Sequence, residues 1–277
     1  MPNLRREILG NPQVMISGSV VLILVFVAIF APLLTPHDPF KTNPISSYEG
    51  PSAEFLLGND DFGRDILSRL ILGARVSIGV SLASVSLALV AGLTLGLVAA
   101  YYGGWVDTVI MRSMDIVLAF PTVILAIAVI AFLGNSLTNV IGVIALLNTP
   151  RFARITYTSS LSVKTNQYVE AAQAIGASDA RILLSAILPN ILAPIFVQIA
   201  LSLGAAILVE SGLSFLGLGV PPPNPTWGSM VSTARKIMNR QPNMVIWPSL
   251  ALAITVLSFN LLGNGLRDSL DPRLRKR

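Results

Sequence analysis

The chain has 277 residues, of which 53% are hydrophobic and only 12% charged, against about 25% charged in an average soluble domain; its mean hydropathy is +0.72. A soluble globular protein is excluded on that balance, and the net charge of +5 is dispersed in clusters between long apolar runs, which excludes a basic nucleic-acid face. With no cysteine and a single histidine, His37, disulfides, thiolate metal sites, cysteine nucleophiles and histidine triads are excluded as well.

Crossing the hydrocarbon core of a bilayer takes about 20 predominantly apolar residues per helix, and six runs are predicted as spans. The first, 16–35, is long, is followed by no clean small-residue cleavage site, and reads as an uncleaved anchor. A loop over 36–75, rich in Pro, Ser, Asn and Asp, follows; it is predicted to be irregular until Arg64–Arg69, where an amphipathic turn leads into the second span at 76–100. The third span is placed at 116–134, the fourth and weakest at 138–150, the fifth at 191–218 and the sixth at 244–266. Twelve Lys and Arg fall on the loops shared with the two termini and seven on the others, so the positive-inside rule puts both termini in the cytoplasm. The expected organisation is all-α: an N-terminal anchor helix with its external loop (1–75), then a five-helix membrane core (76–277) with a cytoplasmic loop at 151–190.

That cytoplasmic loop is the most informative stretch. YVEAAQAIGASDARILLSAILPN, 168–190, reads as two short helices: Asn166 is placed to cap the first, Gly176 to stop it in a left-handed conformation, and Ser178 to cap the second. Ala171 and Ala174 share a face that another surface can approach closely, and Glu170 is free for a polar partner. Loops beyond about 12–15 residues are uncommon without a function. A DNA-reading helix-turn-helix is disfavoured, because Lys164 and Arg181 are the only bases between 155 and 190. A compact knob for docking a soluble partner fits best, tied to the fifth span through Leu188-Pro189.

Glu170-Ala171-Ala172, three residues, Gly176 and then Leu188-Pro189 resemble the EAA signature in permease subunits of binding-protein-dependent ABC importers. Ala186 is smaller than the aliphatic residue usual there. LGNDDFGRDILSRLILGARVSIGV (57–80), YYGGWVDTVIMRSMDIVLAFP (101–121), SFLGLGVPPPNPTWG (214–228) and FNLLGNGLRDSLDPRL (259–274) are similar to the C-type permease of the dipeptide, oligopeptide and nickel importers. The resemblance implies a type I ABC importer permease fold with six transmembrane helices in a bacterial or archaeal cell membrane. It implies a second homologous permease, two cytoplasmic ATPase subunits carrying ATP and Mg, and an external substrate-binding protein. Short peptides are the implied cargo, with nickel, opines, glutathione or oligosaccharides as alternatives. By the same resemblance Glu170, Ala171, Ala172, Gly176, Ala177, Ser178, Leu188 and Pro189 form the loop that couples to the ATPases.

No phosphate-binding G-x-x-x-x-G-K-[ST] loop occurs in the chain, and no catalytic, metal or cofactor residue is expected on it. Glu210, an acid inside the fifth span, admits two readings, a gate on the path or a bond between helices; Asn260 in the sixth span admits the path or helix packing. The proline-rich run 221–226 is expected as an external turn, with Trp227 as an interfacial anchor. Arg112 with Asp115, and Arg267 with Asp268 and Asp271, read as charge-pairing devices. The Gly and Ser residues of span two (Ser81, Ser84, Ser86, Gly92, Gly96) suit close helix contact, between permeases or within one bundle. A secondary transporter would show inverted repeats and several intramembrane acids, and only Glu210 fits.

Overall fold

The computed structural model describes residues 10–239 and 241–270. Arg5, Arg6, Arg240, Asp271, Arg273, Arg275, Lys276 and Arg277, invoked above for orientation and charge pairing, lie outside the described residues. Helix α1 (Pro12–Leu34) starts where the Asn11 side chain accepts the Gln13 N–H at 2.9 Å and Pro12 takes the first helical position. Asn11 also donates to the Gly265 carbonyl and Gln13 to that of Leu261, so α1 is fastened at its start to the far end of the chain.

Helix α2 (Ile66–Tyr102) has 37 residues, about 55 Å at 1.5 Å per residue, far more than a bilayer core requires. The predicted amphipathic lead-in is its first turn, capped by the Asp65 carboxylate, which accepts from Leu67 and Ser68 N–H. The third predicted span is two helices, α3 (Gly104–Ala119) and α4 (Thr122–Leu133), bent by 93° at Phe120-Pro121; Pro121 cannot donate the backbone bond that would carry the helix through. The fourth predicted span lies inside a longer helix that is not among the candidate membrane spans. Helix α5 (Leu137–Lys164) continues past Pro150; just ahead of it Asn148 and Thr149 turn their side chains onto the Ile144 and Ala145 carbonyls at 2.9 and 2.8 Å.

After α6 (Gln167–Ala174) and a run of short helical turns to Asn190, α7 (Leu192–Phe215), α8 (Trp227–Arg235) and α9 (Asn243–Leu270) complete the bundle. Helices α1, α2, α7 and α9 are long and apolar enough to cross a membrane, and the bent α3–α4 pair makes a fifth candidate. Arg151 and Arg154 lie in the second half of α5, which leaves it less apolar than the other long helices. Large apolar side chains such as Ile16, Leu22, Ile23 and Leu33 stand exposed along α1, as lipid-facing residues must.

The core lies where α2 crosses α5. Gly92 and Gly96 lie directly against Phe152, Ala153 and Thr156 with no room for a Cβ, so these two glycines serve packing within this chain. Phe152, Ile144, Ile130 and Ile207 fill the surrounding space, each at most 1% exposed. Arg112 and Arg154 both reach Asp115, and Tyr157 donates to Asp107 at 2.7 Å, which binds α3 to α5.

Candidate functional site

One end of the bundle carries the knob. Helix α6 ends with Gly176 at φ +74°, its N–H on the Gln173 carbonyl while that of Ala177 reaches Ala172. That bond pair is a Schellman stop, and the Ala172 and Ala177 methyl groups face inward beside it. Asn166 and Ser178 hold the capping positions, but neither side chain makes the capping bond; Asn166 turns instead towards the Tyr168 hydroxyl. Val169, Ile182, Ile187 and Ile191 are buried as a small apolar floor together with Leu97 of α2.

Glu170, Ala171, Ala174, Ser178 and Pro189 face outward, with Ile175 84% exposed at the tip. Leu188-Pro189 lead into α7, and a separate polar tie joins the knob to α2. Leu188 is half-buried in a single 3₁₀ turn ahead of α7, whereas Asp179 accepts the Tyr101 and Tyr102 hydroxyls at 2.8 and 3.1 Å and Lys164 donates to the Ala100 and Tyr101 carbonyls. The last turn of α2 is thereby fixed to both sides of the knob. Sequence reasoning missed these four residues, although the paired tyrosines at 101–102 lie inside a recognised motif.

Glu210 sits nearer the opposite end, fully buried. Its carboxyl accepts from Ser214 at 2.7 Å and Ser211 at 3.3 Å, both on α7 itself. Ser77 of α2 accepts the Trp227 backbone N–H, and Gly228 packs directly on the Ser211 backbone, so the start of α8 is held against both α2 and α7. Trp227 is no interfacial anchor: it is 2% exposed and donates its indole N–H to the Leu70 carbonyl at 3.0 Å, drawn inward because α8 folds back onto α2. Asn260 is half-buried, lies against Gly204 and lines an open groove between α7 and α9.

Comparison with known proteins gives this geometry its setting. Residues 92–276 match the family described as binding-protein-dependent transport system inner membrane component, and residues 4–51 match the N-terminal TM domain of oligopeptide transport permease C. The chain belongs to this permease family. It is the membrane component of an ABC importer, multi-pass and non-catalytic, and its family implies ATPase and binding-protein partners. This permease is 44% identical over 98% of its length to the dipeptide transport system permease protein DppC of Alkalihalophilus pseudofirmus, 89% of which is covered. It is 43% identical, also over 98% of its length, to the glutathione transport system permease protein GsiD of Pectobacterium atrosepticum, covering 90% of that protein. Among solved structures it resembles the inward-facing MetNI methionine ABC transporter, with a TM-score of 0.61 at 19% identity over 74% of this chain and 98% of that one. That likeness shows the importer permease fold.

The permease closes the end opposite its knob with a charged cap. Asp60 accepts Arg64 Nε at 2.7 Å and Arg69 Nε at 3.2 Å, while Arg69 also donates to the Pro39 carbonyl. His37 lies 3.4 Å from the Asp65 cap. The loop over 36–65 is irregular as expected, but these buried pairs hold it on the start of α2.

Proposed function

We propose that this permease imports short peptides across a bacterial or archaeal cell membrane. The observation that carries the reading is the near full-length identity to a dipeptide permease, and the similarity to glutathione permeases stays within the same substrate class, since glutathione is itself a short peptide. The chain is read as six spans, with α5 completing the set, both termini in the cytoplasm, the knob inside and the charged cap outside. Residues 1–75 act as anchor and outer loop, and 76–277 as the translocating core. A second, homologous permease supplies the other half of the path, and two ATPase subunits bind ATP and Mg.

The knob receives the ATPase stroke. Glu170, Ala171, Ala172, Gly176, Ala177 and Ser178 form the docking surface, and Leu188-Pro189 lead the motion into α7. Tyr101, Tyr102 and Lys164 extend it along α2, so one displacement at the knob moves two long helices. Glu210 acts as a packing group inside the bundle rather than as a gate, in keeping with its full burial and its bonds to Ser211 and Ser214 of its own helix, and Asn260 borders the groove facing the path. Uptake of labelled dipeptide, labelled glutathione and labelled nickel in cells lacking or regaining this gene tests the reading, with ATP depletion as a control. ATP-dependent dipeptide uptake is expected to disappear with the gene, and its persistence would overturn the assignment.

A further inference from the structure

A second groove opens at the cap end, between α2 and the start of α5. Its floor is one face of α2, where Leu72, Val76, Gly79 and Val80 recur at helical spacing, and its side wall is Leu137 and Ile141 of α5. A Cβ on Gly79 would meet nothing within 4 Å, so the chain itself does not fill the floor. The groove measures about 510 Å³, within the ~300–1,000 Å³ typical of small-molecule sites.

A single charged side chain lines it. Arg75 stands on the same face of α2, one turn from both Leu72 and Gly79, exposed and with no ion pair or hydrogen bond among the described residues. In this it differs from Arg64 and Arg69, which both meet Asp60. No acid lines the groove; Asp38, on the loop that brings Phe40 to the rim, accepts the Phe40 N–H at 2.9 Å and makes no ion pair with Arg75. Asn224 adds a neutral amide to the lining. Arg75 is also the last charged residue before the uncharged run 76–102, which places it where α2 enters the hydrocarbon. The groove therefore combines an unanswered cation at headgroup depth with apolar walls that lead from it into the membrane.

We propose that this groove is a phospholipid site, with the lipid phosphate on Arg75 and one acyl chain laid along α2 towards Ile141. The planar guanidinium presents paired N–H donors that match phosphate oxygens, and walls of Leu, Val and Ile take an acyl chain without leaving a polar atom unpaired. A small water-soluble anion would leave those walls uncovered. With no carboxylate in the lining to answer a headgroup ammonium, a lipid of net negative charge is the better match, so phosphatidylglycerol is preferred to phosphatidylcholine.

The test reconstitutes the assembled transporter in phosphatidylcholine nanodiscs containing a small fraction of either phosphatidylglycerol or phosphatidylcholine with a photoreactive diazirine on one acyl chain. Cross-linked residues are read by peptide mass spectrometry. Photoreactive phosphatidylglycerol is expected to label 72–80 and 137–141 about fivefold more than the phosphatidylcholine probe at the same fraction. Arg75→Gln should remove that preference and Arg75→Lys should keep part of it. Ile23 and Leu33, exposed along α1, serve as the control for ordinary lipid contact: their labelling should be alike for both probes and unchanged in both variants. Equal labelling of the groove by the two probes, or a preference that survives Arg75→Gln, would overturn the proposal. So would a groove that neither probe labels, the result expected if a second permease covers this face. Loss of groove labelling on adding dialanine would assign the groove to the transported solute and overturn it as well.

Discussion

The two ends of this permease are held by different means. At the cap end the fastening is buried and polar: Glu210 and its hydroxyls, the Asp60–Arg64–Arg69 cluster, and Trp227 tucked against Leu70. At the knob end the shape comes from a backbone stop at Gly176 and a thin apolar floor, the Tyr–Asp bonds are exposed, and Ile175 points outward. A buried polar network resists displacement because each broken bond leaves a desolvated group unpaired. Exposed bonds exchange with water at little cost. The cap is thus the more firmly held end, and the knob the one whose polar ties yield at little cost.

Breaking the cap should cost most. Glu210→Leu removes the acceptor of the buried Ser211 and Ser214 hydroxyls and is expected to destabilise the permease by about 2–4 kcal/mol, read as a large drop in thermal midpoint in detergent, whereas Glu210→Gln should retain much of the stability. An unchanged midpoint for Glu210→Leu would remove the distinction between the two ends. Next comes the crossing that joins them: Gly92→Ala forces a methyl group into Phe152 and should cost about 1–3 kcal/mol by the same measurement.

At the knob the expected effect shifts from stability to coupling. Gly176→Ala puts a side chain at φ +74°, a strain of about 1–2 kcal/mol, yet open space surrounds the site. The variant should insert at near-normal levels while ATP-driven uptake falls severalfold; normal uptake in both it and Glu170→Lys would sink the docking role of the knob. The smallest effect belongs to Tyr102→Phe, which loses one solvent-exposed bond to Asp179 and should leave the thermal midpoint nearly unchanged. Combined with Tyr101→Phe it should slow uptake more than it lowers the thermal midpoint, and the reverse pattern would show that the bonds hold the fold and not the stroke.

Legibility from sequence followed the kind of force involved. Helices α1, α2, α7 and α9 were readable because about 20 consecutive apolar residues have few alternatives to a helix in a membrane. The bend at Phe120-Pro121 and the continuation of α5 past Pro150 were not, since the same residue type breaks one helix and is carried inside the other, a difference that local pattern does not reveal. In the knob, Gly176 was readable as a stop because left-handed backbone favours glycine. Its tether to α2 was hidden by 77 residues of sequence separation between Tyr102 and Asp179.

Composition and motif order by themselves determined the membrane class, the all-helical fold, the family and the position of the knob, because these depend on local hydropathy and short-range pattern. Tertiary structure alone decided that Trp227 turns inward onto the Leu70 carbonyl and that Asp179 meets the Tyr101 and Tyr102 hydroxyls. Those outcomes depend on which distant groups reach a given carboxyl or indole once the helices pack, and burial then fixes what each unpaired atom costs.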